Sequence, residues 1–341
     1  MRRLLTLLVA LPALAASACS GGTPAPAPSP SAASSATAGT TAGATAGTPG
    51  QPRPPRHLVV HTVRWRLPYA VARAAVGPAG DGRYTLAGGL LAGDSSTDRV
   101  LDLDPAAGTV IRAGRLPVPV HDTAGARLGG QLLVVGGGNA SEQGTVQVRH
   151  GGAWTVAGHL PQPRSDLIAA TIGGRVLVLG GYDGTTTAMS AILASEDGRH
   201  WQQVGRLPLP VRYAASVVDG RSVWLFGGER AGVEQRAVQL VGADGHARVV
   251  ARLPHPLGHA AAVRLGDRIL LVGGRPSADR VTARMWWFDP SSRRFTPAGR
   301  LPRPLADTAV LTDGLTDGLT AWLVGGESPS LTDRVVRLSL R

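Results

Sequence analysis

The chain has 341 residues, of which 46 are glycine and 26 are proline, and only 17% are charged. Many turn-forming residues and few charges predict an all-β protein. The formal net charge is +12, and all 35 basic residues are arginine because the chain contains no lysine. The missing lysine excludes Walker-type phosphate loops, Schiff-base catalysis and kinase chemistry. We predict no cofactor and no metal ion. We also predict no nucleic-acid partner, since an all-arginine bias is weak evidence for nucleic-acid binding.

The first eighteen residues have the pattern of a secretory signal peptide, with Arg2 and Arg3 before an apolar run and small residues at its end. Cys19 follows directly, and the stretch AASAC resembles the lipobox of bacterial lipoproteins, in which the cysteine becomes the acylated N-terminus. The resemblance implies an exported protein whose lipid anchors it to the outer leaflet of the cell membrane. The alternative is plain cleavage after Ala18, which leaves Cys19 unmodified.

Residues 19–56 continue as a tract rich in serine, alanine, threonine and proline. Such a composition buries too little apolar area to offset chain entropy, so we predict a disordered stalk. The folded domain is expected over residues 57–341.

Within residues 57–341, a glycine pair after an apolar run recurs about 44 to 52 residues apart. A Leu-Pro pair recurs in step with it, so the chain contains internal repeats. The glycine pairs begin at Gly88, Gly136, Gly180, Gly227, Gly273 and Gly325, and the Leu-Pro pairs at Leu67, Leu116, Leu160, Leu207, Leu253 and Leu301.

One repeat shows the predicted elements in chain order. Strands are expected at His259–Leu265, at Arg268–Val272 running into the glycines, at Met285–Pro290 after a polar loop, and in the segment RFTPAGRLP. Four antiparallel strands in each repeat are typical of one blade of a β-propeller.

The repeats resemble those of kelch-repeat β-propellers. The shared features are the glycine pair after the second strand, the Leu-Pro exit, and a bulky residue in the fourth strand at Trp154, Trp201 and Phe295. Val110 and Ala247 depart from that pattern in two repeats. The resemblance covers residues 57–341, and together with the lipobox-like stretch it implies an exported kelch-type lipoprotein.

The two ends predict how the propeller closes. Arg334–Arg341 is the third strand of a repeat without a fourth, and Leu58–Pro68 is a fourth strand without a blade. Pairing them completes a sixth blade and removes two exposed sheet edges. A tandem duplication at Leu311–Gly318 is expected to lengthen the turn between the first two strands of blade 6.

Polar residues recur five positions after each Leu-Pro proline, where the innermost strands begin, and we expect them to ring the mouth of the central channel. Residues after the glycines should lie on the same face. Such a mixture suits a polar ligand, although polar residues at these positions also cap loops by local hydrogen bonds. The candidate ligand-binding residues are Arg73, Asp122, Asp166, Tyr213, His259 and Asp307 in the ring, with Tyr182, Asp183, Glu229 and Arg275 after the glycines.

Three further patterns receive less weight. His255 and His259 are four residues apart, a spacing at which two histidines on a helix can bind a divalent metal ion. At a loop-to-strand junction this spacing does not place them on one face, so it is weak evidence for a metal site. Ser195–Trp201 resembles the Asp-box turn of sialidases, which is structural. Asp122 and Asp166, on adjacent blades, are a possible acid–base pair.

The predicted function is that of a monomeric, non-enzymatic binding or scaffolding module whose loop-rich face engages a protein partner or a cell-wall glycan. The first alternative is an exported carbohydrate-active enzyme similar to kelch-type sugar mutarotases, in which Arg73, Glu229 and His259 act as acid–base and anchoring groups. The second is an adhesin for acidic surfaces, driven by the net charge of 12 − 2 = +10 that remains without Arg2 and Arg3.

Overall fold

The folded part of the chain consists of β-strands. The computed structural model describes residues 57–150, 152–185, 187–312 and 318–341. The strands form six four-stranded antiparallel sheets and two short hairpins. In the described ranges, no helix is long and apolar enough to cross a membrane. The predicted all-β, six-bladed propeller is confirmed.

Each four-stranded sheet is one blade, and its first strand is innermost, since the first strands of neighbouring blades contact one another. Blade 1 contains β2 (Ala75–Gly80), β3 (Arg83–Ala87), β6 (Arg99–Asp104) and β7 (Thr109–Arg115), with the hairpin β4 (Leu90–Leu91) and β5 (Ser95–Ser96). Blade 2 contains β8 (Ala124–Leu128), β9 (Gln131–Val135), β10 (Thr145–His150) and β11 (Ala153–His159). Blade 3 contains β12 (Ile168–Ile172), β13 (Arg175–Leu179), β14 (Ala191–Ser195) and β15 (Gln202–Arg206).

The other three blades repeat this order. Blade 4 contains β16 (Ala215–Asp219), β17 (Ser222–Phe226), β20 (Ala237–Gly242) and β21 (Ala247–Arg252), with the hairpin β18 (Glu229–Arg230) and β19 (Val233–Glu234). Blade 5 contains β22 (Ala261–Leu265), β23 (Arg268–Val272), β24 (Arg284–Asp289) and β25 (Arg294–Arg300). Blade 6 contains β26 (Ala309–Leu311), β27 (Thr320–Val324), β28 (Val335–Leu340) and β1 (Leu58–Thr62).

Blade 6 is closed by the two ends of the described chain. Strand β1 pairs antiparallel with β28, so that Leu58 lies opposite Leu340 and Thr62 opposite Val336. The predicted closure is confirmed, although the strand ends at Thr62 instead of Pro68. The predicted lengthening of the first turn falls mainly on residues 313–317, which lie outside the described residues.

The apolar core is divided among the gaps between blades. Six clusters of buried side chains each join two neighbouring blades, including blade 6 with blade 1. Strand β13 shows how one sequence serves two clusters. Val176 and Val178 face blade 2, whereas Leu177 and Leu179 face blade 4. Because a strand alternates its side chains and both blade faces are covered, the strand is continuously apolar.

The glycine pair connects each blade to the next. In blade 3, the N–H of Gly181 donates to the carbonyl oxygen of Val211, before blade 4, at 2.9 Å. A Cβ on Gly180 would lie 2.3 Å from that same oxygen. Gly326 makes the equivalent bond to Val71 at 2.8 Å, which joins blade 6 to blade 1. The pair therefore permits a close backbone approach that no side chain would tolerate.

Some predicted strand boundaries were wrong. Strand β22 begins at Ala261 instead of His259, since His259 has a φ of 56° and cannot continue an extended strand. Strand β24 begins at Arg284, and Trp201 lies just before β15 instead of within it. Trp201 ends the Asp-box-like turn between β14 and β15, in which the Ser195 hydroxyl accepts the N–H of Gly198 at 2.8 Å.

Candidate functional site

The six ring residues predicted from the Leu-Pro spacing line one cavity of about 180 Å³. Their backbones are linked around the axis, because the N–H of five of the six, all except Asp122, donates to the carbonyl of the ring residue in the preceding blade. Asp166 donates in this way to Asp122 at 2.9 Å, and Asp307 to His259 at 3.0 Å. The blades thus hold the six side chains in fixed positions around the propeller axis.

Each of the six has a left-handed backbone conformation. Their φ angles are 57°, 49°, 56°, 53°, 56° and 54° for Arg73, Asp122, Asp166, Tyr213, His259 and Asp307. A non-glycine residue pays roughly 1–2 kcal/mol for this conformation, and aspartate somewhat less. Glycine would avoid that cost, yet it occupies none of the six positions. The side chains therefore contribute something that the backbone alone does not require.

The residues after the glycine pairs lie on the same face as the ring, as expected. Isolated β-bridges join the residue before each ring position to the residue after the glycines, such as Arg212 to Glu229 and Gly258 to Arg275. Tyr182 is held likewise by Ser165. These bridges bring the post-glycine side chains beside the ring.

His259 lies between two carboxylates on one side of the ring. Its Nδ1 lies 2.7 Å from Asp307 Oδ1, and its Nε2 lies 3.7 Å from Glu229 Oε2. Burial alone would lower the pKa of His259, but the hydrogen bond to Asp307 and the longer contact with the Glu229 carboxylate outweigh it and raise that pKa to about 9. His259 is therefore an imidazolium at neutral pH. The same interaction, ahead of Arg212, holds the pKa of Glu229 at about 2.

Asp307 is buried, with 4% of its side chain exposed. Its burial would raise its pKa, but the hydrogen bond from His259 and the charges of His259 and Arg73 hold the pKa below its usual range. Its Oδ2 is buried and has no hydrogen-bond partner among the described residues. The Arg73 and Arg275 guanidiniums lie 3.8 and 3.7 Å from this oxygen.

Asp122 and Asp166 occupy the other side of the ring, where the pKa of each carboxyl is raised, in contrast to the lowered pKa of Asp307. Burial, followed by the charge of Asp122, raises the pKa of Asp166 to about 8, so Asp166 is largely protonated at neutral pH. Burial also raises the pKa of Asp122, against the opposing charge of Arg73 at 3.3 Å. The Tyr213 hydroxyl donates to Asp122 Oδ2 at 3.4 Å.

Tyr213 joins the two sides of the ring. Its aromatic ring stacks on His259 with a centroid separation of 3.8 Å, while Arg73 Nη1 donates to its hydroxyl at 3.4 Å. Burial and the charges of Asp122 and Asp166 raise the pKa of the Tyr213 hydroxyl, which therefore stays protonated.

Two arginines outside the ring support it. Arg212 donates to Glu229 at 2.9 Å and to Asp166 at 3.3 Å. Arg275 lies 3.7 Å from Asp307 and forms an ion pair with Glu327. Arg212 stands one position before the ring and Glu327 follows the glycines of blade 6, and the bridge pairing places both next to the ring, as their sequence positions predict.

Ser96 also lies next to the ring and was not predicted from the sequence as a site residue. Its hydroxyl lies 2.7 Å from Nδ1 of His121, whose Nε2 lies 3.4 Å from Asp122. Ser96 belongs to the hairpin strand β5, several residues beyond the glycines of blade 1. No repeat position marks it, so the sequence offers no signal for this contact.

The two post-glycine residues of blade 3 have different environments. Tyr182 lies beneath Arg212, whose guanidinium carbon is 4.6 Å from the ring centroid. Asp183 points into its own loop, where it accepts hydrogen bonds from Thr185 Oγ1 at 2.7 Å and Gln162 Nε2 at 3.0 Å. The hydrogen bond from Thr185 lowers the pKa of Asp183. The structure therefore places Tyr182 beside the ring residues and gives Asp183 a loop-capping role.

The cavity presents donors and acceptors together. The imidazolium of His259 and the protonated carboxyl of Asp166 are donors at neutral pH, whereas the carboxylate of Asp307 is an acceptor. Its volume is below the roughly 300–1,000 Å³ of pockets for drug-sized ligands. Such a cavity suits one small polar group, such as a sugar unit of a polymer or one polar side chain of a protein.

Comparisons with known proteins agree with this architecture. Residues 256–302 match the family model of the Kelch motif. The solved structure titled "Structure of YjhT" is similar to this chain with a TM-score of 0.69 and 16% identity, covering 81% of this chain and 99% of that chain. At that identity the likeness shows the fold alone. The search of curated proteins found no match. The chain is thus a six-bladed β-propeller that carries a Kelch motif.

Proposed function

We propose that this protein is an extracytoplasmic, lipid-anchored binding module that engages a wall polymer, glycan or partner protein through the ring face. A Kelch motif in a six-bladed propeller supports a binding or scaffolding role. The observation that carries the proposal is the ring itself. Six bulky or charged side chains occupy strained backbone positions where glycine would cost least, and all six line one cavity.

Ligand binding is tested by a thermal-shift screen of the full-length chain against soluble peptidoglycan fragments and neutral and acidic oligosaccharides. Replacing Asp122, Asp166 and His259 together by alanine should abolish any ligand-induced shift, because donors and acceptors are removed from both sides of the cavity. The matched control is Arg199→Ala, an exposed change in the Asp-box-like turn of blade 3. A shift retained by the folded triple variant would place binding away from the ring.

The membrane anchor is a separate part of the proposal and has its own test. Cys19 lies outside the described residues, and its lipidation rests on the AASAC stretch alone. Cys19→Ser should release the protein from the membrane fraction into the soluble extracytoplasmic fraction. Unchanged fractionation of the variant would contradict lipid anchoring and would leave the ring-binding test unaffected.

A carbohydrate-active enzyme is the second candidate, and one observation favours it. Arg212 hydrogen-bonds two carboxyl groups whose pKa values lie far apart, about 8 for Asp166 and about 2 for Glu229. Such a split assigns an acid and a base in many hydrolytic and isomerising sites. Any sugar that binds should therefore be followed by NMR for a chemical change. Turnover that is lost in Asp166→Asn while binding persists would favour catalysis over simple binding.

A further inference from the structure

A larger cavity lies away from the ring, at blade 5, and has a volume of about 480 Å³. We call it the blade 5 groove. Its walls come from the Leu-Pro segment before blade 5, the loop after its glycine pair and the segment leading to blade 6. It shares no lining residue with the ring cavity. Four prolines stiffen these walls, namely Pro254, Pro256, Pro276 and Pro304.

Three exposed arginines line this groove: Arg280, Arg284 and Arg300. Arg284 on β24 lies directly opposite Arg300 on β25. Like charges at directly opposed positions of antiparallel strands repel each other and destabilise the pair. The fold gains nothing from this placement unless a negative group is near.

Blade 1 has the same arginine pair with such a negative group. Arg99 lies opposite Arg115 in β6 and β7, and Asp98 accepts hydrogen bonds from Arg115 at 2.8 and 2.9 Å. In blade 5, Ala283 replaces this aspartate as the residue before the first arginine. Among residues 57–341 that the structure describes, neither arginine of the blade 5 pair forms an ion pair. One of the two positive charges is therefore paired within blade 1, whereas both are left open to the groove in blade 5.

An aromatic side chain lies next to these charges. Trp286 lines the groove on the same strand as Arg284, and the ring of His255 lies 6.0 Å from that of Trp286. Aromatic and proline surfaces suit a ring-shaped ligand, and guanidinium groups suit carboxylate or phosphate oxygens. We propose that the blade 5 groove binds a sugar bearing a carboxylate or a phosphate, its anionic group held by Arg284 and Arg300 and its ring against Trp286.

The test is isothermal titration calorimetry of the full-length chain at low salt. Trigalacturonic acid supplies carboxylates, glucose 6-phosphate supplies a phosphate, and maltotriose is the neutral probe. The test variant carries Arg284→Gln and Arg300→Gln, and the matched control carries Arg99→Gln and Arg115→Gln at the same register in blade 1. Both variants keep a polar side chain and alter exposed positions, so both should fold.

At least one anionic sugar should bind more tightly than maltotriose, and the blade 5 variant should weaken it by roughly tenfold or more, since charge-assisted hydrogen bonds are lost. The blade 1 variant should bind as the wild type does. Binding in the carboxylate arm or in the phosphate arm identifies the source of the anion. The proposal is overturned if neither anionic sugar binds, if maltotriose binds equally well, or if the two variants lose affinity equally. Tighter binding of polyaspartate than of both sugars would also overturn it.

Discussion

The glycine pairs and the ring adopt the same left-handed sign of φ, yet they carry opposite kinds of residue. All twelve residues of the glycine pairs have φ between 59° and 116°, and each one is glycine. The six ring residues have φ between 49° and 57°, and none is glycine. At the first glycine of each pair, the space next to the backbone is filled by the segment that leads into the next blade, and at the second glycine by the segment that enters the same blade. At the ring, it opens into a cavity.

The difference separates two causes of a repeated sequence pattern. A glycine pair repeats because the entry segments of the next blade and of its own blade approach too closely for a Cβ, so its identity follows from architecture. A ring position repeats in backbone shape, but its side chain changes from blade to blade among arginine, aspartate, tyrosine and histidine. The side chain thus varies while the left-handed backbone, which is unfavourable for these residues, stays the same. This indicates a set of side chains that act together around one axis.

Adding a methyl group at a glycine pair should have the largest effect on stability. A Cβ on Gly273 would lie 2.0 Å from the carbonyl oxygen of Leu305 in the next segment. We expect Gly273→Ala to lower the free energy of unfolding by about 3 kcal/mol or more, because backbone must move. Urea denaturation followed by tryptophan fluorescence measures this loss.

Gly174→Ala is the matched control for that experiment. Gly174 also has a positive φ, of 80°, but nothing lies within 4 Å of the place that its added methyl group would take. Its substitution should cost only about 1 kcal/mol, from backbone strain. Equal losses in the two variants would mean that φ alone, and not the approach of the next blade, explains the glycine pairs.

The sequence predicts the architecture well because the architecture repeats. Six copies of a glycine pair and a Leu-Pro pair reveal the blades, and an unmatched strand at each end reveals their closure. The ring could be located for the same reason, since the position of Asp166 or His259 follows from counting residues after a proline. The left-handed backbone at those positions could not be predicted from the sequence, because arginine and tyrosine rarely adopt this conformation.

The electrostatics of the site could not be predicted from the sequence. Asp166 and Asp307 occupy equivalent repeat positions, yet their pKa values move in opposite directions. Burial raises both pKa values, and the neighbouring ring residue makes the difference: the hydrogen bond from His259 lowers the pKa of Asp307, whereas the charge of Asp122 raises that of Asp166 further. Which side chains face one another across a cavity depends on the closed circle and its rotamers, and spacing along the chain does not encode these.

The ring residue Asp166 should make the stability of the protein depend on pH. The pKa of Asp166 is about 8 in the folded protein and about 3.9 in an unfolded chain, so folding binds a proton between these values. Wild-type stability should therefore fall as pH rises from about 4 to 8. In Asp166→Asn this part of the loss disappears, so the variant should gain stability relative to wild type by about 1.4 kcal/mol for each pH unit between pH 5 and pH 7.

Melting temperatures of the two proteins across this pH range provide the measurement. Asp183→Asn is the control, because Asp183 has a lowered pKa in its loop and is already ionised throughout that range. His259 adds a loss of its own in every variant, since its raised pKa of about 9 withdraws stability as pH rises from about 6.5. Parallel curves for wild type and Asp166→Asn would show that Asp166 ionises normally in the folded protein.

Tyr213→Phe should have the smallest effect on stability. It tests whether the ring side chains stabilise the fold or serve only to line the cavity. Tyr213→Phe removes the hydroxyl that lies 3.4 Å from both Asp122 and Arg73 and keeps the stacking on His259. Because hydrogen bonds of this length are weak, the free energy of unfolding should fall by no more than about 1 kcal/mol. A ligand found in the thermal-shift screen should nevertheless bind measurably less well, since the hydroxyl faces the cavity that the six residues share. A loss of stability comparable to that of Gly273→Ala would instead make the ring part of the architecture, and the contrast with the glycine pairs would vanish.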